Sequence, residues 1–209
     1  SSSKEQEAGD LPDAQTLLDQ SQAVTADLTS VHLELAVTGK IEKLPIKTLS
    51  GDLVTKPQTA AEGKTKITVG GADIDIDFVV VDATLYAAMT KGVWEDYGPA
   101  AAVYDPSAIL NPDTGLANML AHFTDAKAEK HEKIDGQDTV RVSGKVAADA
   151  VNALAPQIGA TGPVPATVWI QNDDPHQLVQ ARLDPDSQSS VQMKLSNWDA
   201  PITVDKPAV

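Results

Sequence analysis

Three aspartates at alternate positions, Asp73, Asp75 and Asp77, form the densest set of potential metal ligands in the chain. A D-x-D-x-D run opens the EF-hand calcium loop, which also requires a glycine at its sixth position and a glutamate at its twelfth. Here those positions hold Phe78 and Thr84. A spacing of two inside an alternating apolar run instead puts the three carboxylates on one solvent face of a strand, where lysines of a neighbouring strand can balance them. The four histidines, His32, His122, His131 and His176, lie in separate segments without the i, i+4 spacing of a zinc helix. No G-x-S-x-G elbow, G-x-x-x-x-G-K-[ST] loop or G-x-G-x-x-G turn occurs, and VGGAD and ATGPVP read as turn chemistry. The absence of cysteine removes thiolate catalysis, disulfides and cysteine-ligated metals. Trp94, Trp169, Trp198 and Tyr97 could stack on sugar, but their dispersal favours packing in the core or at its rim. Neither catalytic residues nor a cofactor site emerge, and an enzyme is the least favoured class.

The charge balance narrows the partners. Thirty acids against 16 bases give a net charge of −14, and the only arginines are Arg141 and Arg182, so nucleic-acid binding is excluded. The same charge opposes anionic bilayers, leaving a covalent anchor or a neutral apolar contact as the routes to a membrane. No run approaches the roughly 18 apolar residues of a spanning helix. At 209 residues and 42% hydrophobic composition the chain suits one domain. Residues 1–10, SSSKEQEAGD, read as a disordered tether, and 11–209 as the folded domain.

These side chains must be positioned mainly by strands. Leu11-Pro12-Asp13 opens a helix that places Ala14, Leu17, Leu18, Ser21, Val24 and Leu28 at helical spacing. Alternation then predicts strands near 31–37, 44–55, 63–69, 73–81 and 84–90, linked by Gly70-Gly71 and Asp82-Ala83 turns. In the second of these, Leu49, Gly51 and Leu53 share one face, and Ile46 is not assigned. Residues 106–123, PSAILNPDTGLANMLAHF, supply two short apolar helices. Strands at 127–134 and 139–146 flank an Asp135-Gly136 turn, a helix covers 147–154, and strands follow near 163–171, 176–184 and 190–198. Most strands keep one polar face and helices do not alternate with them, so the class is α+β, with a mostly antiparallel, strongly curved sheet of about ten strands. The residues alone accommodate either a solid core or a ligand cavity between sheet and helices.

The stretches KTLSGDL (47–53), VGGADIDIDFVVVDATLYA (69–87), GPAAAVYDPSAILNPDTGLANMLAHFTDAKAE (98–129), DTVRVSGKV (138–146), VPATVWIQ (164–171) and SVQMKLSNW (190–198) resemble the family of mycobacterial envelope lipoproteins that comprises LppX, LprA, LprF and LprG. LNPDTGLAN, with YDP just before it, is the most specific part, and the similarity runs from about Leu11 to Pro207. The resemblance implies a half-barrel sheet whose concave face is covered by helices around a deep apolar pocket. It implies a monomeric, non-enzymatic carrier of triacylated glycolipids (phosphatidylinositol mannosides, lipomannan, lipoarabinomannan) and of triacylglycerol. It also implies export, attachment to the inner membrane through a lipidated cysteine that would precede SSSKEQEAGD, and a major-facilitator transporter as partner, with secretion as a second destination. The competing class is an envelope protein-interaction module with a solid core.

Strand alternation assigns the pocket wall to Leu35, Val37, Leu53, Thr65, Ile67, Val69, Ile74, Ile76, Phe78, Val80, Leu85, Val140, Val142, Val168 and Ile170. The expected cover is Ile109, Leu110, Leu116, Met119, Leu120 and Phe123. Leu44-Pro45, Gly159 to Pro163 and the Tyr97-Gly98 region are expected at the rim.

Overall fold

The computed structural model describes residues 10–209, so the expected tether, apart from Asp10, lies outside the described residues. Helix α1 (Ala14–Ala26) starts where the Asp13 carboxylate accepts a 3.0 Å hydrogen bond from the Thr16 amide, satisfying one of the free donors of the first turn. Its buried residues, Ala14, Leu17, Leu18, Ser21 and Thr25, form one stripe at helical spacing.

Eleven strands follow: β1 (Ser30–Thr38), β2 (Ile46–Val54), β3 (Ala60–Val69), β4 (Ala72–Val81), β5 (Thr84–Thr90), β6 (Val93–Pro99), β7 (Phe123–Ile134), β8 (Gln137–Val146), β9 (Val164–Gln171), β10 (Leu178–Leu183) and β11 (Ser190–Ser196). Their order in the single curved sheet is β6-β5-β4-β3-β2-β1-β11-β10-β9-β8-β7, with every pair antiparallel. Two meanders, β1 to β6 and β7 to β11, are thus sewn together by β1 and β11 alone. The sheet does not close, and β6 and β7 are its edges.

That topology dictates the cover. The chain leaves β6 at one edge and must enter β7 at the other, so residues 100–122 have to cross a face of the sheet. They do so as two 3-10 turns, Ala100–Ala102 and Pro106–Leu110, and helix α2 (Leu116–Ala121). Helix α2 packs on α1, and a third helix, α3 (Ala148–Leu154), bridges β8 to β9 beside it.

Three expectations need correction. Val93–Pro99 is a strand, making eleven instead of ten and placing Tyr97 and Gly98 in an edge strand; its register shifts against β5 break the period-two signal. Strand β7 begins at Phe123, so this residue heads a strand instead of closing the helical cover. Leu44 is buried in the core, not set at a rim.

Candidate functional site

Cross-strand register decides which side chains share the inner face, because directly paired residues in an antiparallel sheet point the same way. One row runs Leu35–Leu49–Thr65–Ile76, and a second runs Val31–Leu53–Ala61–Val80–Leu85. Across β1 and β11 the same face continues through Met193, Ala181, Val168, Val142 and Ala128. The fifteen wall residues expected from alternation therefore lie on one face of the sheet.

They do not all line one space. Leu53, Val80, Val140, Val142, Val168 and Ile170 are fully buried, Leu35 nearly so, and they pack in a continuous core with Ile109, Leu110, Leu116, Met119, Leu120 and Phe123. Val37 is partly buried at the margin of that core, Ile74 is half-buried, and Val69 is 53% exposed at the β3–β4 turn. A void among α2, α3 and the β10–β11 side, beside Leu116, Met119 and Leu154, measures about 10 Å³, which is room for no more than about one water.

The open space lies at the other half of the sheet. Thr65, Ile67, Ile76, Phe78 and Leu85 line an apolar recess of about 250 Å³. Ile46, Leu49, Ala87 and Met89 complete its floor, and Tyr97, Val103, Tyr104 and Pro106 close it from the edge strand and the crossing segment. Ala87 and Met89 carry on the alternation of Leu85, so a sequence signal for them existed. Tyr97 was expected at the rim, whereas Val103 and Tyr104 had no periodic signal, because an irregular segment between two 3-10 turns brings them in. At the mouth, Met89, Tyr97 and Val103 are 58%, 44% and 41% exposed.

The recess is electrically neutral. The Tyr97 phenol is held above its ordinary pKa by its 2.9 Å hydrogen bond to Glu95, and the Tyr104 phenol is raised further by burial, so both stay protonated at neutral pH. Tyr104 Oη donates to the Leu154 carbonyl at 3.4 Å, and the Gln157 amide donates to the Val103 carbonyl at 2.5 Å, tying the crossing segment to the α3 end. Thr65 Oγ1 donates to the Thr48 carbonyl at 2.9 Å, so this lining hydroxyl is already paired.

The residues considered for other chemistry are accounted for. Lys47 meets Asp73 at 3.1 Å, Lys66 meets Asp75 at 4.0 Å, and Lys64 stands opposite Asp77, as expected of a balanced strand face. No group of three or more potential ligands is placed to hold a metal among the described residues. Trp169 donates to Glu132 at 3.2 Å and Trp198 to the Leu178 carbonyl at 3.2 Å, while Trp94 packs on the outer face, so the three form no platform. No helix among the described residues is long and apolar enough to cross a membrane. Gly159 to Pro163 borders a separate surface depression, away from the recess.

The profile of the LppX_LprAFG lipoprotein family matches residues 13–204. A protein named lipoarabinomannan carrier protein LprG in Mycobacterium tuberculosis (strain H37Rv) is 57% identical over 209 residues, all of this chain and 88% of the relative. Its Mycobacterium leprae counterpart is 55% identical over 203 residues, 97% of this chain and 85% of the relative. Among solved structures, LprF from Mycobacterium bovis superposes with a TM-score of 0.85 at 32% identity, covering 95% of this chain and all of that one. The lipoprotein LppX of Mycobacterium tuberculosis gives 0.72 at 30% identity, covering 92% and 98%.

Proposed function

The chain belongs to the LppX_LprAFG lipoprotein family, and from that premise we propose that it is a cell-envelope carrier that shields the acyl tails of glycolipids against the inner face of its sheet. The role is non-enzymatic, in keeping with relatives named as carriers. The cargo we propose is the triacylated glycolipids, namely phosphatidylinositol mannosides, lipomannan and lipoarabinomannan, together with triacylglycerol. The carrier would work as a monomer anchored to the inner membrane by a lipidated cysteine, receive cargo beside a major-facilitator transporter, and pass it outward across the periplasm.

The observation that carries this reading is the neutral, apolar recess, open at Met89, Tyr97 and Val103 and continuous with the inner-face rows. Exposing an acyl tail to water costs about 0.8 kcal/mol per methylene, or roughly 12 kcal/mol for sixteen carbons. A wall of matching apolar area removes most of that cost and needs no directional bonds inside, which suits a lining whose phenols stay uncharged. At about 250 Å³ the recess is smaller than the roughly 300–1,000 Å³ of ordinary small-molecule sites, so several tails require the crossing segment to move outward. The place for such a movement is the stretch over the recess, Val103 to Asp105 between the two 3-10 turns, since α2 is sealed in the core.

The interaction-module reading draws on one observation, the filled core under α2. Native mass spectrometry of the protein purified from a mycobacterial host, followed by extraction and lipid identification, separates the two. Acylated glycolipid or triacylglycerol at near one per chain is the expected result; a folded chain free of lipid overturns the carrier reading.

A further inference from the structure

The outer face of the strands that floor the recess carries a second trough of about 460 Å³, lined by polar and apolar atoms alike. Register explains it. The outer-face row Glu34–Ser50–Lys64–Asp77–Ala88 crosses five strands, and the next row adds Thr48, Lys66 and Asp75. Thr48, Ser50 and Ala88 are short and make the floor, while lysines and carboxylates rise as the walls. Lys91, in the β5–β6 turn, closes one end beside Met89, which also lines the apolar recess.

The wall chemistry selects a ligand class. Lys64, Lys66 and Lys91 offer only donors, and Glu34, Asp75 and Asp77 only acceptors, so the trough is locally balanced on a chain of net charge −14. An anion would meet three carboxylates and a cation three ammonium groups. A hydroxyl both donates and accepts, so a ligand dense in neutral hydroxyls can use both sets at once. Capacity is available: among the described residues Lys64, Lys91 and Asp77 have no ion-pair partner, and Lys66 reaches Asp75 only at 4.0 Å. Ser50 is committed, donating to Glu34 at 2.8 Å, as is Glu34, which also accepts from His32.

We infer that this trough is a glycan subsite, taking the neutral, hydroxyl-rich sugars of a glycolipid whose tails occupy the recess, with the glycan turning over the β5–β6 end at Met89 and Lys91. The inference rests on the carrier reading for the tails, while the trough itself stands on its own geometry. Without an aromatic platform the subsite is weak alone; tethering by the buried tails raises the effective concentration of the glycan and makes it count.

The test uses the full chain with three probes: lipoarabinomannan, its deacylated glycan, and tripalmitin, which has tails and no glycan. The paired exposed-site variant Lys64→Ala with Lys91→Ala, and separately Asp77→Asn, should weaken lipoarabinomannan binding about three- to tenfold and leave tripalmitin unchanged. The deacylated glycan should shift the amide resonances of Ser50, Lys64, Asp77 and Ala88 in the unaltered chain. That titration decides the subsite even if neither acylated probe binds, the result that would refute the carrier reading. Equal weakening of both lipids, no weakening of either, or glycan shifts confined to other strands would overturn the subsite.

Discussion

Gly51 and Gly63 stand directly opposite each other on the inner face of β2 and β3, so close that a Cβ on either would overlap the backbone of the partner strand. Their row continues through Leu33 on one side and Phe78 on the other. On β2 and β3 it separates the filled row of Leu53 and Ala61 from the row of Leu49 and Thr65 that floors the recess. The bare pair lets β2 and β3 approach where the sheet passes from closed core to open recess.

Gly63→Ala should therefore force the two strands apart and lower stability by about 1–3 kcal/mol, the range of an overpacked core. Gly162→Ala, at a position with nothing within 4 Å of the added carbon, serves as the control and should leave the urea midpoint nearly unchanged.

Thr65→Trp tests the recess. Thr65 lies on its floor, half-buried, and an indole there fills much of the 250 Å³. The variant should retain its thermal transition within a few degrees and lose most co-purifying lipid. Undiminished lipid in the folded variant would remove Thr65 from the tail-binding wall.

His32 sits between two carboxylates, with Nδ1 2.9 Å from Asp52 and Nε2 2.9 Å from Glu34. Burial opposes its charge, but the two hydrogen bonds and the neighbouring charges outweigh burial and hold its pKa above the ordinary value. A raised folded-state pKa adds stability that is fully present below the unfolded value near 6.5 and is lost as pH rises through the folded value. Urea titrations from pH 5.5 to 8.5 should show this loss in the unaltered chain and not in His32→Gln. The difference should stay under about 1 kcal/mol, because solvent screens the pair.

The outer face has its own apolar patch, Val54, Ala60, Val79, Val81 and Tyr86, against which Ile202 and Val204 of the C-terminal segment pack. Lys206 lies 5.5 Å over the Tyr86 ring. Asp199 anchors the segment by accepting from the Thr29 amide at 2.9 Å. Deleting residues 202–209 should uncover the patch, increase binding of a hydrophobic dye and lower the melting temperature; an unchanged melting profile would show that the segment contributes nothing to stability.

Glu62 opposes that same segment. Burial, then the charges of Asp52 and Asp205, push its pKa up, so the carboxyl costs stability as pH rises from its unfolded value through the raised folded one. Glu62→Gln should raise the melting temperature at pH 7 and have little effect below pH 4, measured by calorimetry across that range.

Period-two alternation was enough to place Leu35, Thr65, Ile76, Val80, Val142 and Val168 on one face, because a strand side chain has only two directions available and burial selects one. The same logic separated Asp73, Asp75 and Asp77 from that face and matched them with lysines, and the Leu11-Pro12-Asp13 opening and the apolar stripe marked α1. Strand β6 escaped because an edge strand with register shifts carries no clean alternation, and Phe123 because an apolar residue beside a short helix reads equally as its last turn or as the next strand.

What alternation cannot state is how far apart the two layers stand. Leu53 and Thr65 look alike in the sequence, as residues of one face, yet one is sealed in the core and the other floors a recess. That difference arises from the route of residues 100–122, which cross from β6 to β7 and press on some rows of the sheet more closely than on others. Local periodicity determined the faces; filled and open space were decided by non-local packing, which depends on the meeting of segments far apart in the chain.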